Sequence, residues 1–294
     1  MQTLRESLSW ARENKVAIGH FNAADITMTK AVIESALDVS KDVGHKIPVI
    51  IGFSDGERDF FGIPEAVAYV RAAAKEYDHP IYINADHTAT VQRSKDAVDA
   101  DFDSVIIDAA KETLEDNIRA TKEVVVYARG KASPALIEGE FGYIGSGSKV
   151  MDSLPEGAAI TKDAIASVAD SHRFVSETGV DLFAPAVGNV HGMLAKGKNP
   201  HLFIERIAEI REAVGVPLVL HGGSGVSDED FTAAIAAGIS IIHISTEMRR
   251  AWREGLEKGL ADKPGEIAPY KVEPAAIDAM KAVITRRLRL FNNL

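Results

Sequence analysis

Short apolar runs alternate with longer amphipathic stretches along most of this chain. The runs fall at 16–21, 48–53, 81–84, 104–107, 135–138, 182–187, 217–220 and 239–244. They are rich in Val, Ile and Leu and lack strict polar alternation, the pattern of strands covered on both faces. Between them, apolar residues recur at helical spacing over 27–39, 64–76, 114–127, 162–177, 200–213 and 228–237. Leu4, Leu8 and Ala11 do the same near the N-terminus. Strand and helix alternating eight times predict an α/β protein with a (β/α)8 (TIM) barrel; a doubly wound open sheet is the competing architecture.

The pattern changes after the eighth run. Residues 246–294 predict two further helices joined by a polar loop around 262–269, with Thr246 capping the first. No Pro/Ser-rich linker or shift of composition divides the chain. Residues 1–294 therefore read as one barrel domain with a C-terminal helical extension from about 246. A long segment, 142–157, follows the fifth run, and its Gly145-Ser146-Gly147-Ser148 core is flexible by composition. A loop of that length on the active face of a barrel serves as a lid or substrate loop.

Composition narrows the possibilities. The 294 residues, 46% of them hydrophobic, suffice for one large core, since such barrels take about 250 residues. The formal net charge of −10 argues against a nucleic-acid partner but leaves an anionic small molecule open. The absence of cysteine excludes disulfides and thiolate chemistry, so any zinc must sit on His and carboxylates. The first residues lack a signal-peptide core, and no apolar run approaches 18 residues. A cytoplasmic protein with no membrane partner is expected.

In a barrel the C-terminal strand ends converge on one face. The first strand there ends at Asn22, the second at Ser54-Asp55, and the third delivers Asp86 and His87. The fourth delivers Asp108 and the fifth Glu138 and Glu140. The sixth leads to His191, the seventh ends at His221, and the eighth contains His243 and Ser245. A lone histidine at a strand end is most often structural. Three at corresponding positions, His87, His191 and His221, point to a metal with an open coordination position, and imidazole suits zinc. His20, His45, His79, His172 and His201 lack this placement and read as ordinary surface or helix-end residues. Asp86 could shuttle a proton beside the metal or support a ligand. Glu140 could be a fourth ligand, with Asp108 and Glu138 as supporting carboxylates. Gly222-Gly223-Ser224-Gly225 follows the seventh strand and opens onto a helix, so its amides could cradle an anion. Gly192 could add another amide, and Lys196 or Lys198 a positive charge.

Taken in order, these segments resemble the class II, metal-dependent fructose-bisphosphate and tagatose-bisphosphate aldolases. The resemblance runs through Gly19-His20-Phe21-Asn22, Asp86-His87, Ser104 to Asp108 and Glu138-Gly-Glu140-Phe-Gly142. It continues through Thr178 to Asp181, Val187 to Gly192 and Leu220 to Gly225, covering about residues 15 to 250. It implies zinc or another divalent ion on His87, His191 and His221, with Glu140 near an alternative metal position. It also implies Asp86 as acid/base at the substrate C4 hydroxyl. Gly192, Gly222 and Ser224 fall where the family binds a substrate phosphate, often with a monovalent cation nearby, and Asn22, Gly223, His243, Ser245 and Thr246 line the same region.

The chain departs from the family at several points. His243 stands where the family usually has an asparagine that contacts substrate, and Ser245 where the fructose-specific branch often has Asp. Thr88 follows His87 where Gly is common. An acidic pair after Glu140 is missing, which leaves Asp152 or Glu156 as stand-ins for the C1 proton relay. An arginine common near Pro269 is also missing. The expected substrate is fructose 1,6-bisphosphate, with tagatose 1,6-bisphosphate as the alternative. Its second phosphate would be reached by Ser54 and by Arg286, Arg287 or Arg289 from a neighbouring subunit of a homodimer or homotetramer. A Schiff-base aldolase needs a strand-end lysine, and none of the eight runs has one. A metal-dependent epimerase or hydrolase on the same barrel, and a non-catalytic sugar-phosphate binder, remain as further alternatives.

Overall fold

The computed structural model describes residues 2–294. Its strands are β1 (Ile18–Asn22), β2 (Val49–Phe53), β3 (Ile81–Thr88), β4 (Ser104–Ile107), β5 (Leu136–Phe141), β6 (Val150–Met151), β7 (Leu182–Pro185), β8 (Met193–Leu194), β9 (Leu218–Leu220) and β10 (Ile239–Ile244). Eight of them close into a parallel barrel in the order β1-β10-β9-β7-β5-β4-β3-β2. β1 pairs with both β2 and β10, which excludes the open sheet. The helices are α1 (Leu4–Asn14), α2 (Ile26–Val43), α3 (Asp55–Phe61), α4 (Ile63–Glu76), α5 (Val91–Asp99), α6 (Leu114–Gly130), α7 (Val168–Thr178), α8 (Ile204–Val214), α9 (Asp228–Ala237), α10 (Thr246–Asp262), α11 (Pro269–Val272) and α12 (Pro274–Phe291).

Period-two geometry sorts the strand residues into an outer shell and an inner column. Facing out, Phe21, Ile51, Ile83, Val105, Ile137, Phe183 and Ile242 pack under the helices. Facing in at the bottom, Ile18, Ile50, Tyr82, Leu136, Leu182, Val219 and Ile241 form a dry layer. Helix α1 closes that end with Leu4, Leu8 and Ala11. Two residues further along five of these seven strands the inward positions turn polar: His20, Asn84, Glu138, His221 and His243, with Gly52 and Ala184 on the other two. The barrel interior is thus apolar below and ionisable above.

Differences from the sequence reading have local causes. β3 and β5 run on to Thr88 and Phe141, whereas β7 stops at Pro185, which has no N–H to continue the ladder. Helix α7 begins at Val168 rather than 162, because Ser167 accepts from the Asp170 amide and caps it. Helix α8 begins at Ile204 rather than 200, because the Phe203 amide is tied to the Val187 carbonyl at 2.9 Å. Helices α3 and α5 are short and polar and gave no periodic signal. Thr246 does not cap α10; it is the buried first helical residue, and Ser245 takes the cap position without a side-chain bond. The extension holds α11 in addition to two longer helices. Part of the 142–157 segment is ordered as β6, paired with β8.

Helix α12 packs on α10, α2 and α9, burying Met280, Ile284, Leu288 and Phe291. Its arginines find partners within the chain. Arg287 is buried, with nitrogens 2.6 Å from Glu247 and 2.7 Å from Asp228. Arg286 also meets Asp228, and Arg289 meets Asp42. Glu247 in turn accepts from the Gly225 amide at 3.0 Å. Arg287 therefore ties the last helix to the glycine-rich loop after β9. Arg287→Ala is expected to lower unfolding stability by about 3–5 kcal/mol, because it strands the Glu247 carboxylate. Urea unfolding of metal-free protein measures this; a change near zero would show that the ion pair does not hold α12 down.

Candidate active site

The third strand sets the site. In a regular strand Asp86 and His87 would point to opposite faces. Here the β3–β4 register shifts between Ala85 and Thr88, and His87 adopts φ +42°. This bulge brings both side chains to the mouth of the barrel. A left-handed φ at a non-glycine residue is strained, and the neighbourhood holds it in place. Buried Arg58 donates to the Asp86 carbonyl at 3.2 Å and to Thr88 Oγ1 at 3.0 Å, and it pairs with Asp55. The Asp108 amide donates to the Thr88 carbonyl at 2.9 Å.

His87, His191 and His221 converge at this mouth. Ring centroids lie 4.6 Å apart for His87 and His191, 4.7 Å for His87 and His221, and 6.1 Å for His191 and His221. One ring nitrogen of each lies within 4.8 Å of the other two. Each ring is anchored through its other nitrogen. His87 Nδ1 bonds Asp108 at 3.0 Å, His191 Nδ1 donates to the Gly145 carbonyl at 3.0 Å, and His221 Nε2 bonds Glu138 at 2.7 Å. His191 Nε2 and His221 Nδ1 are then buried with no partner among the described residues. Histidines that ligate a metal are held in this way. The donor set fits a divalent ion.

Electrostatics points the same way. Asp86, Glu138 and Glu140 are each at most 3% exposed, and Asp108 lies beside them. Burial lowers the basicity of His87, but Asp86, Asp108 and Glu140 outweigh it and carry its pKa up to about 10. Burial, with Asp108 and Glu138 adding to it, pushes Glu140 up to about 7. Burial, with His87 and His221 adding to it, takes His191 down to about 3. A cation at the three nitrogens would balance this excess of buried carboxylate.

Asp86 sits on the rim of the cluster. Asn22 Nδ2 donates to its Oδ2 at 2.8 Å, while Oδ1 has no hydrogen-bond partner among the described residues. A cleft of about 250 Å³ opens above, lined among others by Asn22, Ser54, Asp86, His87, Glu140 and His191. A narrower extension is lined by Gly192, Gly222, Ser224, His243, Ser245 and Thr246. The amides of Gly192, Gly222 and Ser224 have no protein partner among the described residues. Gly222 has φ +61°, and a Cβ there would lie 2.3 Å from the Val190 carbonyl oxygen, so only glycine lets the two loops approach.

Several expected residues are already engaged within the protein or lie outside both spaces. The Gly223 amide is already bonded to the His243 carbonyl at 3.1 Å, and Gly223 does not line the extension. Ser224 Oγ accepts from the amides of Ser245 and Glu247 at 3.2 Å each and so braces the start of α10. Ser54 Oγ bonds Glu57 at 2.8 Å as part of a capping box. Lys196, Lys198, Asp152 and Glu156 are exposed and line neither space. His20 and His79 are buried rather than on the surface; His79 Nε2 lies 2.9 Å from the Ile47 carbonyl.

The sequence reading passed over five residues. Arg249 lines the cleft, bonded to Glu57 at 2.6 Å and to the Ser148 carbonyl at 3.3 Å. It lies one turn beyond Ser245, a spacing that could have placed it. Glu57 was legible as the fourth residue of Ser54-x-x-Glu57. Lys111 and Tyr143 complete the rim. Asn199 fastens the loops by donating to the carbonyls of Gly192 and Ser224 at 3.0 Å each.

Comparison with known proteins agrees with this geometry. The family model described as "Fructose-bisphosphate aldolase class-II" matches residues 2–294. A fructose-bisphosphate aldolase of Geobacillus stearothermophilus is 33% identical over 99% of this chain and 96% of its own length. A 6-phospho-5-dehydro-2-deoxy-D-gluconate aldolase of Bacillus licheniformis is also 33% identical, over 99% of this chain and 94% of its own. The crystal structure of the YdjI aldolase from Escherichia coli K12 superposes with a TM-score of 0.80 at 27% identity, covering 99% of this chain and 97% of that one. A closed parallel barrel carrying three convergent histidines, matched along its whole described length, belongs to the class II fructose-bisphosphate aldolase family.

Proposed function

We propose that this aldolase reversibly cleaves fructose 1,6-bisphosphate to dihydroxyacetone phosphate and glyceraldehyde 3-phosphate, with zinc or another divalent ion on His87, His191 and His221. The observation that carries the reading is the set of three anchored imidazoles, each with a ring nitrogen turned to one point, and Asp86 on their rim. A divalent ion there supplies a Lewis acid for the negative charge left on the ketone fragment. Glu140, whose Oε2 lies 3.7 Å from His87 Nδ1 and has no hydrogen-bond partner among the described residues, would serve as an alternative ligand.

The chain's own groups divide the remaining work. Asp86, held by Asn22, offers Oδ1 to the C4 hydroxyl. As it takes that proton, the C3–C4 bond breaks, C4 becomes the aldehyde carbon, and the bonding pair stays on C3 as an enediolate, which then takes a proton from solvent at C3 to give dihydroxyacetone phosphate. The amides of Gly192, Gly222 and Ser224 bind the phosphate of the ketone fragment, with Ser245 and Thr246 beside them, and a monovalent cation would fit the same anionic surroundings. The second phosphate goes to the cleft rim near Ser54, where Arg249 and Lys111 supply positive charge. An arginine from a second subunit of a homodimer or homotetramer would add to them. Tagatose 1,6-bisphosphate remains the alternative, since Asp86 and the histidines would serve either C4 epimer. The relative named as a 6-phospho-5-dehydro-2-deoxy-D-gluconate aldolase, equally similar, favours testing that acid as well.

Two outcomes test this. Asp86→Ala should retain metal and slow cleavage by roughly 10²–10⁴, the range of general acid–base catalysis. Comparing kcat/KM for fructose 1,6-bisphosphate, tagatose 1,6-bisphosphate, fructose 1-phosphate and 6-phospho-5-dehydro-2-deoxy-D-gluconate should place the first highest. Loss of metal in step with activity would make Asp86 a structural support, and a higher value for another compound would replace the substrate.

Metal uptake should also depend on pH. His87, protonated up to about pH 10 in the metal-free protein, must lose its proton to bind. Affinity should therefore rise with pH across the neutral range, by about tenfold per unit for each proton displaced. Calorimetric titration of zinc in buffers of different ionisation enthalpy measures the protons released. Uptake without proton release at pH 7 would show that His87 is already neutral in the metal-free protein and that the buried carboxylates do not hold its proton.

A further inference from the structure

Two imidazoles inside the barrel have no part in the scheme above. His20 on β1 and His243 on β10 are register partners on adjacent parallel strands. Their rings stack with centroids 3.5 Å apart and planes within 6° of parallel. Both residues are buried. The stack is fixed from behind. Ser104 Oγ donates to Asn84 Oδ1 at 3.0 Å, which orients that amide so that its Nδ2 donates to His20 Nε2, also at 3.0 Å. Gly52 of β2 clears the slot: a Cβ there would fall 2.0 Å from His20 Cε1. In front, His243 rests on the His221 ring at 4.0 Å and brings its Nδ1 to 3.3 Å from Asp86 Oδ1. That oxygen is the one Asn22 leaves free.

We propose that His20 is a positioning residue: stacked on His243, it holds that ring against Asp86 and so fixes the carboxylate oxygen that takes the substrate proton. The inference rests on the aldolase reading of Asp86. An imidazole has a broad, roughly two-fold χ2 well and needs a neighbour to choose its plane. His20 supplies a flat surface, and the Ser104–Asn84 chain prevents His20 itself from turning. His20 and His243, stacked face to face as register partners, act as a pair. A displacement of about 1 Å at a reacting group costs on the order of 10²-fold in rate. A loose His243 would give Asp86 that freedom.

The chemistry offers an internal control. Cleavage requires a proton to leave the C4 hydroxyl to Asp86. Exchange of a carbon-bound hydrogen of dihydroxyacetone phosphate with solvent breaks no C–C bond and has no C4 hydroxyl. His20→Ala and His20→Phe should be compared with wild type for bound zinc, cleavage kcat and KM, and deuterium incorporation into dihydroxyacetone phosphate from D2O. His20→Ala is expected to keep its zinc and its KM and to lose cleavage kcat roughly 10²-fold more than exchange. His20→Phe, which retains a flat ring over His243, should recover most of that loss. Zinc loss, an equal fall in both reactions, or no change in either would overturn the inference. If the wild-type protein cleaves no phosphorylated ketose, the aldolase reading fails on its own. The crystal structure of His20→Ala then decides: a displaced His243 ring and Asp86 carboxylate support the positioning role, and unmoved groups refute it.

Discussion

Three hydrogen bonds made on the far side of the imidazoles decide which ring nitrogen each histidine turns to the cavity. Asp108 fixes His87, the Gly145 carbonyl fixes His191, and Glu138 fixes His221. Each anchor comes from a different place. Asp108 follows β4, Glu138 lies inside β5, and Gly145 belongs to the long segment after β5. The cluster therefore requires the closed barrel, the register of β4 and β5, and an ordered 142–148 segment together. That segment is pinned by the β6–β8 pairing and by Arg249 on the Ser148 carbonyl. A loop that composition marks as flexible thus helps to orient His191.

The barrel makes such a cluster tolerable by separating its functions along the strand axis. The lower interior, sealed by α1, is dry and apolar and supplies the burial that holds the strands together. The upper interior concentrates buried carboxylates and imidazoles whose desolvation would be costly without an opposing charge. The strained φ at His87 lies at the mouth, above both layers, held by Arg58. Stability is invested below and spent on geometry above, as in a fold whose chemistry sits at the C-terminal strand ends.

Most of this frame is visible in the sequence, because apolar runs buried on both faces stand out against amphipathic helices. The three convergent histidines were legible for the same reason: each trails such a run. What stayed hidden depends on relations between strands. His20 reads as an ordinary surface or helix-end residue although it falls inside the first apolar run, and only the pairing of β1 with β10 sets it on His243. The turn of His87 comes from a bulge that no local pattern announces. Arg287 is one of three arginines expected to reach a neighbouring subunit's site; within the chain its partners Glu247 and Asp228 lie on α10 and α9, a relation between elements that local pattern does not show. Lys196 looked like a phosphate ligand because it is basic and near His191, but the β8 strand carries it out to solvent.

The most direct test of the central claim is anomalous diffraction at the zinc edge from crystals of the zinc-loaded protein. A single peak should lie about 2.0–2.1 Å from His87 Nε2, His191 Nε2 and His221 Nδ1. A peak among His20, Asp86 and His243, or none at the three histidines in zinc-saturated protein, would contradict it.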